Sequence, residues 1–334
     1  MKSICITGGG GFIGHHLARR LKSQGHYVRV VDIRREYLKD SDCDEFLLLD
    51  LRNLENCILA TTGCDWVFSL AADMGGMGFI QTNQSLILYN NTMISFNTLE
   101  ASRRNGVKRF FYSSSACCYP EHIQDDPNVT ALAEDTAWPA NPQELYGLEK
   151  IVTEQLVMRY AIDFGMTTRI ARFHNIYGPE GTWTGGREKA PAAFCRKVLA
   201  AVDGQVEIWG DGVQTRSFCY IEDCLDGILR IMESDFPEPL NLGSDYLISM
   251  NDFIQLVAKV GNKTISVKNI LGPQGVRGRN SDNTLIEQVL GWVPTTSLED
   301  GITETYKWIE QAMADASGDE DYSKSKIVET SENF

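Results

Sequence analysis

The chain has 334 residues and a net charge of −14, an acidic balance that argues against a nucleic-acid partner and against binding to anionic membranes. Its 43% hydrophobic and 23% charged content is that of an ordinary soluble globular protein, and the length allows two domains or one large α/β unit. No apolar run is long enough to span a bilayer, and nine cysteines lie scattered without metal-type spacing, so no metal and reduced thiols are expected. The first residues enter a strand at once and leave no room for a secretion signal, which makes a cytoplasmic location the expectation.

Ser3 to Thr7 reads as a first strand, followed by Gly8-Gly9-Gly10-Gly11-Phe12-Ile13-Gly14 and a helix over His15 to Ser23. Glycines at 8, 11 and 14 let the backbone turn tightly, approach a pyrophosphate and pack the helix on the strand. The helix then offers its free N–H groups to the phosphates. This loop, with Phe12 and Ile13, is the expected cofactor cradle. Tyr27 to Asp32 is a second strand whose terminal carboxylate can bond an adenosine ribose and repels a 2′-phosphate, which favours NAD over NADP. Arg34 and Arg35 follow directly and argue for the other cofactor.

Glu45 to Leu51 gives a third strand, with Asp50 at its end near the adenine, and Asp65 to Ala72 a fourth. A helix over Leu86 to Asn105 precedes a strand over Arg109 to Ser113. Such alternation describes a doubly wound parallel sheet of the Rossmann type, which binds ligands at the carboxyl ends of its strands. The informative ends are therefore residues 73–78 and 113–118.

Tyr146 and Lys150 stand four apart on a predicted helix, hence on one face. The ammonium is expected to lower the phenol's pKa, so that it can take a proton from a sugar hydroxyl. Thr167 to Phe173 is a further strand. Beyond it the chain changes character, with glycine-rich loops and basic spots. Residues 187–197 hold four bases and one acid, which suits a phosphorylated small molecule. Arg277-Gly278-Arg279 and the Trp209 to Ser217 stretch add further arginines. The last helix is expected over Ser297 to Met313. The predicted division is a cofactor domain of residues 1–176 plus about 215–243, a smaller C-terminal substrate domain of about 177–214 plus 244–313, and a tail from 314 to 334.

The glycine loop, Asp32, Ser115, Tyr146 and Lys150 resemble the extended short-chain dehydrogenase/reductases that act on nucleotide sugars. Within that group, residues 73–78, Ser115-Ala116-Cys117, 172–179, Gly185-Gly186-Arg187-Glu188-Lys189-Ala190-Pro191 and 278–282 look like the GDP-mannose 3,5-epimerase family, over residues 3 to about 313. The resemblance implies bound NAD and GDP-mannose as substrate, inverted at C3 and C5 to GDP-L-galactose, with GDP-L-gulose from C5 alone. It implies Tyr146 as the base for hydride transfer, Lys150 as its partner, Ser115 on the hydroxyl being oxidised, and Cys117 with Lys189 as the acid/base pair. Substrate contacts are implied for Gly75, Asn175, Glu188, Lys197, Gln214 and Arg279, and through the tail for Tyr322. Thr184 departs from the family pattern, which has lysine there.

A homodimer through a four-helix bundle is also implied, from the helices near 86–105 and 146–164; Leu148, Ile151, Leu156 and Tyr160 suggest apolar surface on the second. The bland reading of Cys117 is a small buried hydrophobe. The rival functions are a nucleotide-sugar 4-epimerase or 4,6-dehydratase, which do not need Cys117 with Lys189, and a non-catalytic NAD-sensing module, which tends to lose the tyrosine or lysine.

Overall fold

The computed structural model describes residues 1–201, 203–316, 321–324, 326 and 327. Part of the predicted tail, residues 317–320, 325 and 328–334, lies outside the described residues. The first half runs β1 (Ser3–Thr7), α1 (Phe12–Ser23), β2 (Tyr27–Asp32), β3 (Glu45–Leu48), α2 (Leu54–Thr61), β4 (Trp66–Ser69), α3 (Met77–Thr82), α4 (Gln84–Arg104), β5 (Arg109–Ser115), α5 (Leu145–Phe164) and β6 (Thr167–Phe173). There follow β7 (Ile176–Tyr177), α6 (Ala190–Ala200), β8 (Gln205–Trp209), β9 (Thr215–Arg216), β10 (Cys219–Tyr220), α7 (Ile221–Glu233) and β11 (Leu240–Leu242). The chain continues through β12 (Ile248–Ser249), α8 (Met250–Val260), β13 (Ser266–Ile270), β14 (Gly278–Arg279), α9 (Thr284–Leu290) and α10 (Leu298–Asp315).

Among the described residues, seven strands form one parallel sheet in the order β11-β6-β5-β4-β1-β2-β3. The predicted Rossmann-type doubly wound sheet is therefore what the chain forms. Its order reverses between β1 and β4, which opens a crevice at the carboxyl ends of those strands. Alternate residues of each strand point to opposite faces, and both faces are covered. Ile4, Ile6, Phe68 and Phe111 pack against Leu17 and Leu21 of α1 and Leu225 and Ile228 of α7. Cys5, Val67, Phe110 and Ile170 pack on the other face against Cys57, Leu99 and Val157 of α2, α4 and α5. Each such buried side chain contributes roughly 1.5–3 kcal/mol, so the sheet holds its strand ends rigidly in place. A separate apolar cluster joins Phe194 and Val198 of α6, Phe253 and Val257 of α8, Ile302 and Ile309 of α10, and Val206 and Ile208 of β8.

Several boundaries differ from expectation. β3 ends at Leu48, so Asp50 sits in the loop beyond the strand. The Arg52 guanidinium closes on it, with Nη2 donating to Oδ2 at 2.6 Å. β5 runs two residues further than predicted, to Ser115. The helix predicted from Leu86 starts at Gln84, and a separate short helix, α3, precedes it. The final helix starts where its cap residue dictates: Ser297 Oγ accepts the Asp300 N–H at 3.1 Å.

Candidate active site

Two adjoining cavities open at the carboxyl end of the sheet. The larger, of about 600 Å³, is lined by Gly8, Gly11, Phe12, Ile13 and Gly14, and also by Asp32, Asp50, Tyr146 and Lys150. The glycine loop is close enough to itself that side chains have no room. Gly8 has φ +69°, and a Cβ on Gly14 would meet Gly8 O at 2.3 Å. No side chain caps the start of α1, which leaves its first N–H groups for a ligand. Asp32 braces the loop: its Oδ2 accepts the Gly10 N–H at 3.0 Å, and its Oδ1 accepts Ile33 N–H at 2.7 Å and Arg34 N–H at 3.2 Å. Burial pushes its carboxyl up, and those N–H groups hold it back. Arg35 turns to Leu38 O at 2.9 Å and Asp40 Oδ1 at 2.5 Å, while Arg34 lines the cavity. The bare backbone, the open helix end and the carboxylate at the tip of β2 together fit a dinucleotide.

Where β5 ends, Ser115 Oγ accepts the Cys117 N–H at 3.1 Å and so starts a single helical turn, Ala116–Cys118. That turn aims Cys117 at the smaller cavity, of about 190 Å³. Cys118, one residue on, is fully buried, and burial pushes its thiol up. The start of α5 lies against the same turn. A Cβ on Gly147 would meet Cys117 O at 2.0 Å, so only glycine lets Tyr146 come this near the cysteine. Farther along α5, Glu154 takes a bidentate pair from Arg172 of β6, with Nε–Oε1 3.0 Å and Nη2–Oε2 2.8 Å. Both are buried, so helix and sheet are locked together.

Tyr146 and Lys150 share one face as predicted, with Nζ 5.7 Å from the phenol ring centroid. Their electrostatics differ from expectation. Burial pushes the Tyr146 phenol well above its usual range, Cys117 and Glu149 add to the rise, and the hydrogen-bonded Ser115 hydroxyl opposes it. The ammonium does not outweigh burial, because it is itself desolvated: burial lowers Lys150, and the Glu149 and Glu154 carboxylates hold it up. Lys150 Nζ donates to Ser113 O at 2.9 Å, with Glu149 Oε2 3.9 Å away. The other Glu149 oxygen accepts Ser95 Oγ and Tyr112 OH, each at 3.1 Å, and Thr153 Oγ1 at 2.9 Å.

Lys189 precedes α6 and lines both cavities. Burial lowers its pKa and Arg279 adds to the fall, while Cys117 and Cys224 oppose it. Across the smaller cavity Arg279 Nη1 donates to Cys117 Sγ at 3.1 Å, and Arg279 Nε to Gln124 Oε1 at 2.7 Å. Gly75, Ser115, Asn175, Glu188, Lys197 and Gln214 complete the predicted residues on its wall. Asn175 holds the left-handed conformation, φ +47°, with Nδ2 donating to Ser217 O at 2.9 Å. Glu188 is clamped by Arg196 Nη2 at 2.8 Å and by the Gly186 N–H at 2.7 Å. Gln214 Nε2 donates to Trp209 O at 2.9 Å, and its Oε1 has no protein partner among the described residues. Lys197 Nζ donates to Glu207 O at 2.6 Å, and burial, followed by the neighbouring Arg196, lowers its pKa to about 8.

Of the predicted site residues, Tyr322 alone lies outside both cavities. Its ring packs on Trp183, centroids 5.2 Å apart, and its carbonyl accepts the Arg196 guanidinium, so its bulk is spent holding the tail. Lys326 lines the cavity instead. Glu144 and Arg216 also line it and were not singled out from the sequence as site residues. Elsewhere His15, His16 and Glu180 come together with metal-ligand atoms, but Arg19 Nη2 already holds Glu180 Oε2 at 3.0 Å, and His15 Nε2 the same oxygen at 2.9 Å. That cluster ties α1 to the loop after β7.

The profile of the NAD dependent epimerase/dehydratase family matches residues 4–243. GDP-mannose 3,5-epimerase 1 of Oryza sativa subsp. japonica is 56% identical over 98% of this chain and 88% of its own. GDP-mannose 3,5-epimerase of Arabidopsis thaliana is likewise 56% identical, over 98% of this chain and 88% of its own. Among solved structures, UDP-glucose 4-epimerase of Thermotoga maritima superposes with a TM-score of 0.81 at 27% identity, over 93% of this chain and 99% of that one.

Proposed function

The chain belongs to the NAD dependent epimerase/dehydratase family, and from that premise we propose that it inverts C3 and C5 of GDP-mannose by way of a transient C4 ketone. The products are GDP-L-galactose and, where C5 alone is inverted, GDP-L-gulose. One observation carries the reading: Cys117 and Lys189 line a single cavity with Ser115 and Tyr146, and an arginine sits 3.1 Å from the cysteine sulfur. The names of the plant relatives support the same substrate.

A proton on an ordinary sugar carbon is not acidic. Next to a C4 ketone it is, because the carbanion is an enolate. NAD, when bound, supplies the reversible oxidation at C4. Gly8, Gly11, Gly14 and Asp32 would hold it, with Lys150 lining the same cavity. To take up the C4 hydroxyl proton Tyr146 must first give up its own; the Ser115 hydroxyl favours the phenolate, and the positive charge of the oxidised nicotinamide would favour it further against the burial that raises this phenol. Inversion then needs a base on one side of the carbon and an acid on the other. Arg279 Nη1 lies 3.1 Å from the Cys117 sulfur and burial lowers the Lys189 pKa, so the thiol and the amine on this one cavity wall are the two groups assigned to take and return the C3 and C5 protons. NMR of the sugar formed from GDP-mannose tests the assignment. Galactose- and gulose-configured products are expected, and recovery of unchanged mannose alone would refute it.

Two further outcomes follow from the residues that hold ligand. Asp32→Ala is expected to weaken NAD about ten- to hundredfold, the worth of a hydrogen bond to a charged group, and to relax discrimination against NADP. Titration of both dinucleotides checks this; a wild type that prefers NADP would shift the role to Arg34. Lys197 is the second case. Its pKa of about 8 means that it is charged below pH 8, and an anionic diphosphate raises that pKa on binding. GDP affinity is therefore full below pH 8 and falls above it, by up to about tenfold per pH unit, until the raised pKa is passed. Lys197→Met is expected to flatten that slope in calorimetry.

The finer structural and cellular expectations belong to the same reading. The substrate domain is built around the cluster joining α6, α8 and α10, apart from the two cores that cover the sheet. The homodimer uses α4 and α5, although Ile151 is fully buried within the subunit and cannot serve it. Tyr89, Val152, Ile162 and Phe164 are the exposed apolar side chains of that pair of helices. Sedimentation at micromolar concentration is expected to give twice the chain mass, and a monomer mass contradicts the assignment. No helix among the described residues is long and apolar enough to cross a membrane. The cysteines are free thiols, which supports a cytoplasmic setting.

A further inference from the structure

Glu144 stands two residues before Tyr146, and its backbone carbonyl accepts the Gly147 and Leu148 N–H groups at 3.0 and 3.3 Å. Its main chain is thus fixed at the start of α5. Its side chain is buried, 6% exposed, and lines the smaller cavity near Cys117, Arg216 and Arg279. One carboxyl oxygen, Oε1, has no hydrogen-bond partner among the described residues. A buried carboxyl oxygen left unpaired is costly, and such groups in native proteins are met by a donor. We propose that Glu144 is a substrate-binding residue whose carboxyl accepts a hydrogen bond from a hydroxyl of the hexose.

Charge selects the sugar rather than the diphosphate. A carboxyl repels phosphate, so the phosphates belong away from Glu144 and the neutral hexose against it. Position agrees, because Glu144 shares the wall with Ser115, Tyr146 and Cys117, where the reacting carbons must lie under the reading above. Electrostatics suit an acceptor. Burial pushes the Glu144 carboxyl up, while Arg279, the Gln81 amide and Arg216 favour its ionised form. A hydroxyl held here fixes the rotation of the ring between Cys117 and Lys189, which an inversion at two carbons requires.

The assignment rests on GDP-mannose being the substrate, so the test separates the two. Calorimetry with GDP-mannose and with GDP is run on wild type, Glu144→Leu and Glu144→Gln. Glu144→Leu is expected to weaken GDP-mannose about ten- to hundredfold and GDP less than about threefold. Glu144→Gln, which keeps a carbonyl acceptor, recovers most of the loss. Among GDP-mannose analogues lacking one hydroxyl each, one is expected to bind wild type and Glu144→Leu alike, and it identifies the hydroxyl. Equal losses for GDP and GDP-mannose would mean that Glu144 only balances the two arginines, and would overturn the assignment. Unaltered GDP-mannose binding in Glu144→Leu would overturn it too. A wild type that binds GDP but not GDP-mannose would overturn the substrate reading and, with it, the hexose contact.

Discussion

Tyr146→Phe is expected to stop both inversion and proton exchange at C3 and C5, each by about a hundred- to ten-thousandfold, the usual cost of losing one acid/base group. The substitution removes a single hydroxyl from a side chain that is 5% exposed, so the ring continues to fill its place beside Phe79 and Ile87. Folding loses little. The chemistry loses its first step, because the group assigned to take the C4 hydroxyl proton is gone. Without the ketone, neither C3–H nor C5–H is acidic, and Cys117 and Lys189 have nothing to act on. The check is mass spectrometry of GDP-mannose recovered from deuterated water. Deuterium entering the sugar at near wild-type rate would show that Tyr146 is not the group that opens the reaction.

Cys117→Ser is expected to block a different step. A serine hydroxyl is far less acidic than a thiol, whose free pKa is about 8.5, and Arg279 cannot make up that difference. Exchange at C3 and C5 and formation of inverted products fall by about a hundred- to ten-thousandfold. Oxidation at C4 persists, since Tyr146, Lys150 and Ser115 are untouched. The keto sugar can be trapped by chemical quenching with borodeuteride, which labels C4. Label at C4 together with lost exchange is the expected signature. Inversion at near wild-type rate would make Cys117 a packing residue and remove the chemical distinction from a 4-epimerase. Lys189→Ala is expected to resemble Cys117→Ser, because burial already brings that lysine towards a neutral amine.

How much of this was legible in the sequence depended on the distance over which each feature is written. The cofactor cradle is local: strand, glycine loop and helix are contiguous, and Asp32 follows at the tip of the next strand, so spacing sufficed. The strand-end rule points equally to Ser115 and Cys117, which the structure brings to one cavity wall. The Arg279 contact on Cys117 spans 162 residues and leaves no trace in local spacing; the sequence marks Arg279 as part of a basic spot, and only the resemblance places it on the substrate. Glu144 was missed because a carboxylate before a helix reads as an ordinary solvated cap, and only its burial makes it notable. The Tyr146 pKa went the wrong way because the i, i+4 spacing reports the ammonium's proximity and says nothing of the desolvation that both groups undergo. The resemblance reaches Tyr322 only through the short tail, and in the structure its ring packs on Trp183.

The most direct test of the account is the position of deuterium after wild-type enzyme turns over GDP-mannose in deuterated water. Deuterium is expected at each inverted carbon, C5 in both products and C3 as well in the galactose-configured one, with the original hydrogen retained at C4. Inversion at C4 without solvent deuterium in the sugar, or loss of a hydroxyl from the ring, would contradict it.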